Sequence, residues 1–549
     1  MHGRSPGGRS AQDSDWWTDL YRPLRRLGSA GRQPSGYSGQ PRRSGGWRTK
    51  SPAAKVGYTL ATLIAVVGVV ASLGGFVFYQ HLNANITKVR VDNLSGKTVY
   101  GALNILILGS QTRLGQRGHF GQVANPGVSN SDNLLLVHLD PTHTHAIVIS
   151  IPRDTMVYEP ACKKRAYVGT GTSQPQLYPP GAIIDGALNI GGPVCSVATV
   201  EALTGISLDH FVEFNFNSFR TMVHQIGGVT VCVPQPGYHD VRANLNLSPG
   251  LHHLDFGQAL AYVRARHSLG GPDAGGDLPR ILLQQAFISS VIQQVHNQGL
   301  LSNVPRLLGI ANTATKSLTI DDGIGSPSSL LRLARSLENL KPKNVTLITM
   351  PTRIPTASEV AQHPDFNQRL LTVQPQDDVL FQMIRTGQQW KGSLPVEPPS
   401  SVQVRVVNAT GRTGLAKQTA QQLRQLGFDV IGTGNAPFTS TTTVDYEGLT
   451  QADGAYTLMT KLTKFPSGLN TLPQTGSQVG SAGAVTLLLG ADFGGVKSPP
   501  AAPTPAASKS SGGTTKPSAA PGPSTGASAV QQRRADLSIC KGLPPALGG

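Results

Sequence analysis

Runs of apolar residues alternate along the chain with amphipathic segments, a pattern typical of a mixed α/β protein. A stripe of apolar residues predicts a helix from Arg280 to about Val295. Continuous apolar runs predict buried strands at Leu103–Leu108, Asn133–Leu139, Ala146–Ile151 and Val229–Val233. We therefore expect an α/β (α+β) fold with a central mixed sheet flanked by helices.

A second folded unit follows a Pro-rich break at Leu394–Pro399. Alternating valines after the break predict a strand, and Gly414–Leu426 is predicted to be a helix that Gly427 caps. Two further strands are expected at Phe428–Ile431 and Val485–Leu489. This unit is therefore predicted to be a small α/β domain.

One segment is apolar enough to cross a membrane. Val56–Tyr79 contains 24 residues without a charge, and a helix of that length at ~1.5 Å per residue spans a ~30 Å hydrocarbon layer. Basic residues precede it, which favours a cytoplasmic N-terminus and places the rest of the chain outside. A cleaved signal peptide is the alternative, for which a 55-residue leader is too long.

These patterns divide the chain into seven predicted parts. They are a disordered basic cytoplasmic tail (1–55), a transmembrane helix (56–79), a linker (80–101), the larger domain (102–388), a Pro-rich linker (389–400), the smaller domain (401–496) and a disordered Pro/Ala/Ser tail (497–549).

The distribution of charge along the chain does not alter the predicted division into domains. The 549 residues carry a net charge of +17, of which residues 1–55 hold +8, residues 497–549 hold +5 and the part between them only +4. Because the basic residues lie in the tails, no nucleic-acid partner is expected.

The four cysteines suggest an exported protein. Cys162 and Cys195 lie in loop-like sequence and are expected to form a disulfide. Cys232 lies within a strand pattern and is interpreted as a small buried apolar residue. The pairing of Cys540 is left open by the sequence.

Common catalytic signatures, such as a Walker loop, HExxH, GxSxG or CxxC, are absent from the sequence. Arginine and aspartate occur instead at predicted strand or helix ends, where they would meet at one rim of the sheet. Arginine forks suit a pyrophosphate, and neighbouring carboxylates suit Mg²⁺ or a general base. The alternative is that these residues form structural ion pairs. The segments are Ser131-Asp132-Asn133, Ile151-Pro152-Arg153-Asp154, Tyr262-Val263-Arg264-Ala265-Arg266 and Asp277-Leu278-Pro279-Arg280.

In order and spacing, five stretches resemble the extracellular domain of the LytR-CpsA-Psr family. They read SDNLLLVHLDP, SIPRDTMV, FNSFRTMVHQIGGVTVCV, LDFGQALAYVRARH and DLPRILLQQ. The resemblance is clear from Ala102 to Gly299 and is expected to continue to about Gly387. The second unit resembles the LytR C-terminal domain of actinobacterial members.

The resemblance implies a membrane-anchored transferase that moves a cell-wall glycopolymer, with arabinogalactan expected, from a polyprenyl-pyrophosphate carrier to muramic acid of peptidoglycan. The implied partners are the lipid-linked glycan, peptidoglycan and the cytoplasmic membrane. The implied cofactor is Mg²⁺ or Mn²⁺. The implied pyrophosphate ligands are Arg153, Arg264, Arg266, Arg280 and Gln284; the implied metal ligands are Asp132 and Gln111; the implied catalytic residues are Asp132, Arg153, Asp154, Arg264 and Arg280.

This chain departs from the family pattern at Gln111. The family has an acidic metal ligand there, within G-x-D-x-R, and Gln111 offers only a neutral carbonyl oxygen. A lysine of the family's K-I-N-A-A-Y pattern is also absent. These changes motivate a second hypothesis, a non-catalytic scaffold that binds the lipid carrier or the wall. A transcription regulator is a third interpretation, disfavoured by an outside-facing, nearly neutral domain.

Overall fold

The computed structural model describes residues 52–497 and 532–536, apart from gaps at 92–93, 95–98, 112–128, 166–167, 169, 180, 236, 267–276, 301–308, 311, 313–314, 317, 448–450, 465–467 and 472–483. Within these residues the protein is a mixed α/β structure, as the sequence predicts. One helix, α1 (Pro52–Asn85), is long and apolar enough to cross a membrane, which is consistent with a single-pass anchor.

An eight-stranded mixed sheet forms the centre of the larger domain. Its strands stand in the order β1-β12-β7-β2-β3-β4-β13-β21. They are β1 (Thr87–Val89), β2 (Leu103–Ser110), β3 (Ser131–Leu139), β4 (Ala146–Ile151), β7 (His210–Phe214), β12 (Leu318–Asp321), β13 (Val345–Thr349) and β21 (Gln532–Arg534). The short strands outside this sheet are β5 (Met156–Val157), β6 (Ala182–Ile183), β8 (Val229–Val233), β9 (Tyr238–Asp240), β10 (Leu245–Leu247), β11 (Gly250–Leu254), β14 (Thr352–Arg353) and β15 (Leu371–Thr372).

Helices of the larger domain lie on both faces of this sheet and beside it. They are α2 (Ala187–Gly191), α3 (Pro193–Thr204), α4 (Phe216–Gln225), α5 (Phe256–Arg264), α6 (Asp277–Asn297), α7 (Pro327–Ser336), α8 (Ala357–Gln362) and α9 (Gln376–Arg385). Because successive side chains of a strand point to opposite faces, Leu106 and Leu108 pack with α3 and α9. Ile105 and Ile107 lie on the other face, in the cluster that includes residues of α6.

The smaller domain is built on a five-stranded sheet in the order β17-β16-β20-β18-β19. Its strands and helices are β16 (Gln403–Asn408), β17 (Asp429–Asn435), β18 (Thr443–Tyr446), β19 (Gly468–Thr471), β20 (Val485–Leu489), α10 (Leu415–Gln425) and α11 (Ala452–Thr460). Gly427 ends the α10 turn at a φ of +92°, which confirms its predicted capping role. The buried core of the smaller domain is continuous with that of the larger domain, because Phe381 of α9 and Val404 of β16 belong to the same hydrophobic cluster.

The structure differs from the sequence predictions at the ends of the apolar helix, which begins at Pro52 within the predicted tail, and in the segments on which two strands form. The apolar helix extends beyond residue 79 to Asn85, and β1 begins within the predicted linker. Residues 532–534 of the predicted disordered tail form β21, because the edge of β13 supplies backbone partners that local sequence does not reveal.

The cysteine predictions are confirmed in one case and wrong in another. Cys162 and Cys195 form the expected disulfide, with Cα atoms 5.6 Å apart. Cys232 is buried as predicted, but it is disulfide-bonded rather than a simple apolar side chain. Cys540 lies outside the described residues.

Candidate active site

A cavity of about 840 Å³ lies between the main sheet and helices α4 to α7. Its long wall is apolar because strands β2, β3 and β4 turn alternate aliphatic side chains toward it. The opposite wall carries aromatic and aliphatic residues of the helices. Residues that line these walls include Ile105, Ile107, Leu135, Val137, Val148, Phe219, Leu260, Phe287, Ile288, Ile292 and Leu337.

Polar residues collect at one end of this cavity. β2 ends there, the antiparallel β3 begins there, and β4 ends there, so Gln111, Asp132 and Arg153 meet at a single edge of the sheet. The end of α5 and the first turn of α6 add further arginines. In total the lining includes five arginines, namely Arg153, Arg242, Arg264, Arg266 and Arg280. The sequence prediction that these segments converge at one rim is confirmed.

Asp132 is shared by two arginines of this rim. Its Oδ1 accepts a hydrogen bond from Arg153 Nη1 at 2.5 Å and lies 3.7 Å from Arg280 Nη1. Arg280 Nη2 also donates to the Asp132 carbonyl oxygen at 3.3 Å. Arg280 is only 3% exposed, so its charge acts in a setting with little water. The carboxylate therefore orders two guanidinium groups at the mouth of the cavity.

Two other carboxylates lie beside Arg153. Asp154 Oδ2 is 3.6 Å from Arg153 Nε, but Asp154 does not belong to the cavity lining. Asp185 lies in a short turn whose backbone nitrogen donates to the Arg153 carbonyl at 3.3 Å. Burial raises the pKa of Asp185 to about 6; Asp154 and Asp132 also raise it, while Arg153 and a hydrogen bond from Asn130 lower it.

Arg264 and Arg266 approach the mouth from the end of α5. Arg264 is the last residue of that helix, and its guanidinium lies 5.5 Å from the centre of the Phe216 ring. Arg266 follows outside the helix, and its backbone nitrogen donates to Asp240 Oδ2 at 2.8 Å. Asp240 also accepts from Ala243 N at 3.0 Å, so it fixes the turn that carries Arg242.

Gln284 lines the cavity but makes a structural contact. Its Nε2 donates to the Val263 carbonyl at 3.1 Å, which ties α6 to the end of α5. Through this bond Gln284 holds the backbone next to Arg264. The expected role of Gln284 as a pyrophosphate ligand stays a prediction.

The rim fits a magnesium ion shared with phosphate better than an ion held by protein alone. Among the described residues, no group of three or more histidine, cysteine or acidic side chains is placed to hold a metal. Mg²⁺ is usually bound by one or two carboxylates, waters and substrate phosphates. Asp132 and Gln111 both line the mouth, and the arginines contact Oδ1 of Asp132, which leaves Oδ2 for a cation.

Sequence reasoning missed two residues that line the cavity, Asp240 and Arg242, and a carboxylate outside the lining that interacts with Arg153, Asp185. Asp185 lies in the stretch where the family lysine is absent, and the local sequence does not show that its carboxylate is buried. Asp240 and Arg242 form an Asp-x-Arg pair at the end of β9, a signal of the same kind as the four Arg- and Asp-containing segments.

Comparison with known proteins gives two family matches. The model of the LytR_cpsA_psr family matches residues 78–371. The model described as LytR cell envelope-related transcriptional attenuator matches residues 401–493.

Individual proteins are also similar to this chain. The cell wall biosynthesis protein LcpA of Corynebacterium glutamicum is 28% identical over 62% of this chain and 68% of its own length. The polyisoprenyl-teichoic acid–peptidoglycan teichoic acid transferase TagU of Oceanobacillus iheyensis is 30% identical over 40% of this chain and 60% of its own length. The solved structure of a LytR-Csp2A-Psr enzyme from Actinomyces oris shares 23% identity and a TM-score of 0.38, covering 56% of this chain and 96% of that one.

Proposed function

Because the chain belongs to the LytR-CpsA-Psr family, we propose that it transfers a cell-wall glycopolymer from a polyprenyl-pyrophosphate carrier to peptidoglycan. The observation that carries this proposal is a single cavity with five arginines at its mouth and aliphatic walls behind them. A polyprenyl pyrophosphate has the same division, an anionic head and a long apolar chain. Guanidinium groups can bind the head bidentately, and the apolar walls can bury the chain.

The proposed reaction joins a hydroxyl of muramic acid to the phosphorus next to the glycan. A phosphodiester bond forms, the bond to the second phosphate breaks, and polyprenyl phosphate leaves. Arg153, Arg264 and Arg280 would position the pyrophosphate and stabilise the charge on the leaving phosphate. When bound by Asp132 and Gln111, Mg²⁺ or Mn²⁺ would supply further charge neutralisation. One of three carboxylates, Asp132, Asp154 or Asp185, accepts the proton of the hydroxyl.

The proposal also specifies which glycopolymer is transferred and on which side of the membrane the transferase domain lies. The teichoic acid named for TagU is a glycopolymer, and the Corynebacterium relative is named for cell wall biosynthesis. The domain pairing and the composition favour arabinogalactan as the polymer here. We place the N-terminus in the cytoplasm and the transferase domain outside the membrane, because the basic residues precede α1.

A non-catalytic carrier-binding scaffold is the second candidate function. Gln111 favours it, since an amide in place of a carboxylate removes one formal charge from the site of a hard cation. This scaffold would bind the lipid pyrophosphate through the same arginines and would not transfer the glycan.

The test uses the full chain in detergent with a polyprenyl-pyrophosphate-linked glycan, peptidoglycan fragments and Mg²⁺, and measures covalent transfer by mass spectrometry. Arg264→Ala should lower kcat/KM at least about tenfold, the effect of losing one charge-assisted hydrogen bond. Arg220→Ala is the matched control, because Arg220 lies 5.4 Å from the Phe256 ring in a similar exposed contact and does not line the cavity.

Unchanged transfer by folded Arg264→Ala would count against the assigned pocket. Lipid binding without transfer by the parent chain, together with transfer by Gln111→Asp, would establish the scaffold function instead.

A further inference from the structure

The last described residues of the chain, 532–536, return to the main sheet of the larger domain. β21 pairs antiparallel with β13, with Arg533 opposite Leu347. We propose that residues 532–536, here called the C-terminal clamp, hold α6 against the sheet edge and thereby shape the part of the cavity that binds the far end of the lipid chain. This inference rests on the proposed function.

The C-terminal clamp makes hydrogen bonds with both walls of the cavity. On the sheet side, the Ala535 nitrogen donates to the Val345 carbonyl at 3.0 Å. On the helix side, Gln293 Nε2 donates to the Ala535 carbonyl, and Arg533 Nε donates to Ser289 Oγ at 3.3 Å. One short segment therefore bridges β13 and α6.

These contacts lie directly behind residues that line the cavity. Val345 is itself a lining residue. Ile288 and Ile292 of α6 also line the cavity, and each immediately precedes a residue that bonds the clamp. Ala535 is fully buried in the same cluster as Leu139 and Val148. Release of the clamp would free the walls on both sides of this region.

The side chains of the clamp show that its docking is specific. Arg533 is 7% exposed, and burial lowers its pKa while Tyr262 and Tyr238 raise it. Burying a guanidinium costs free energy unless polar groups surround it. The polar groups around Arg533 therefore indicate that this position accommodates an arginine specifically. The neighbouring Arg534 is exposed and pairs with Asp536 at 2.8 Å. The clamp is anchored at its other end by Trp390, whose Nε1 donates to Gln532 Oε1.

The clamp contacts α6 at Ser289 and Gln293, well beyond the turn that carries Arg280. Arg280 marks the mouth in the first turn of α6, and Ile292 lies twelve residues further, about 18 Å along the helix. A short prenyl chain bound by its pyrophosphate would fill the near part of the cavity only. A long chain would reach the walls that the clamp holds. The clamp is therefore a positioning element whose effect depends on chain length.

The test measures the dissociation constants of farnesyl pyrophosphate and undecaprenyl pyrophosphate for the full chain, in the same mixed micelles. Arg533→Ala should weaken undecaprenyl pyrophosphate about tenfold and change farnesyl pyrophosphate less than about twofold. Arg534→Ala, the matched exposed control, should change neither. Should Arg533→Ala fail to fold, Gln293→Met removes the bond to Ala535 while keeping side-chain length, and the same selective loss is expected.

Equal losses for both lipids, or no loss for either, would overturn the clamp while leaving the proposed function intact. Binding of neither lipid by the parent chain would overturn both. A selective loss of the long chain is the one result that supports the clamp, since general destabilisation would weaken both lipids alike.

Discussion

At the scale of single residues, the mouth of the cavity combines arginines with carboxylates in different environments. Asp132 is held by Arg153 and Arg280, whereas Asp185 is buried and bonded by Asn130 Nδ2 at 3.3 Å. A proton acceptor works best when its pKa lies near the operating pH. With a pKa of about 6, Asp185 meets this condition.

We therefore predict an acidic limb near pH 6 in the pH profile of kcat/KM for glycan transfer. Below that pH Asp185 becomes protonated and can no longer accept the hydroxyl proton. Asp185→Asn should remove the limb and lower the rate above pH 7. Asp154→Asn should keep the limb and move it to lower pH, because the Asp154 charge is one cause of the raised pKa of Asp185. A limb that survives in Asp185→Asn would exclude this role.

The residues of the rim show how far sequence reasoning reaches at this scale. Polar residues that flank buried strands or lie at helix ends are expected to meet at one edge of the sheet. This expectation identifies five residues of the rim, Asp132, Arg153, Arg264, Arg266 and Arg280. The contact of Gln284 with Val263 was not predictable, because it depends on how α5 and α6 pack. The raised pKa of Asp185 also depends on burial, which no local pattern reveals.

At the scale of elements, three helices beside the cavity, α4, α5 and α7, begin at side-chain caps. Asn215 accepts a hydrogen bond from Ser218 N at 3.1 Å, and Ser218 Oγ accepts from Asn215 N in return. This capping box fixes the start of α4, whose Phe216 and Phe219 line the cavity.

Asn215→Ala should lower the free energy of unfolding by about 1 kcal/mol, the usual effect of losing an N-cap. Asn217→Ala, inside the same helix, should leave it unchanged or raise it by a few tenths of a kcal/mol, about the gain in helix propensity. Urea unfolding followed by circular dichroism measures both. Similar losses in the two variants would mean that the cap contributes nothing specific.

The strands illustrate what sequence patterns can and cannot give at this scale. β2, β3 and β4 were recognisable because both faces of the sheet are covered, so each strand is nearly all apolar. β21 was not recognisable, because Gln532-Arg533-Arg534 has neither apolar character nor strand preference. It is a strand only because β13 offers an edge and α6 offers polar partners.

At the scale of the whole molecule, the two domains meet through one buried and one half-buried acidic residue, Asp378 and Asp453. Tyr446 of β18 donates to Asp378 Oδ2 of α9 at 2.7 Å, and Gln382 Nε2 donates to Asp453 Oδ2 at 3.3 Å. Burial raises the pKa of Asp378 and raises that of Asp453 to about 6; Glu397 also raises the pKa of Asp453, and Arg385 lowers both. The Pro-rich break predicted two units, but their shared core follows from tertiary packing alone.

This junction predicts that the protein is more stable in mild acid. A carboxyl with a raised pKa binds its proton more tightly in the folded state, so stability falls as pH rises from about 4 to about 6. Asp453→Asn should raise the melting temperature at pH 7 by about 2–3 °C and reduce its rise between pH 7 and pH 5. Asp429→Asn, an exposed control on β17, should change neither. A parent melting temperature that falls between pH 7 and pH 5 would contradict this account.

The order of strands in the main sheet also decides where the chain can be shortened. Its two edges are formed by β1 and β21, the first and the last strand among the residues that the structure describes. A fragment that starts after residue 89 or stops before residue 532 keeps the centre of the sheet and opens an edge. Open edges present unpaired N–H and C=O groups to other copies, so we expect such fragments to self-associate. We therefore expect this strand order to set the boundaries of a soluble fragment. Residues 532–534 belong to a tail that looks dispensable from its composition, yet they cover an edge at which a second copy could otherwise pair.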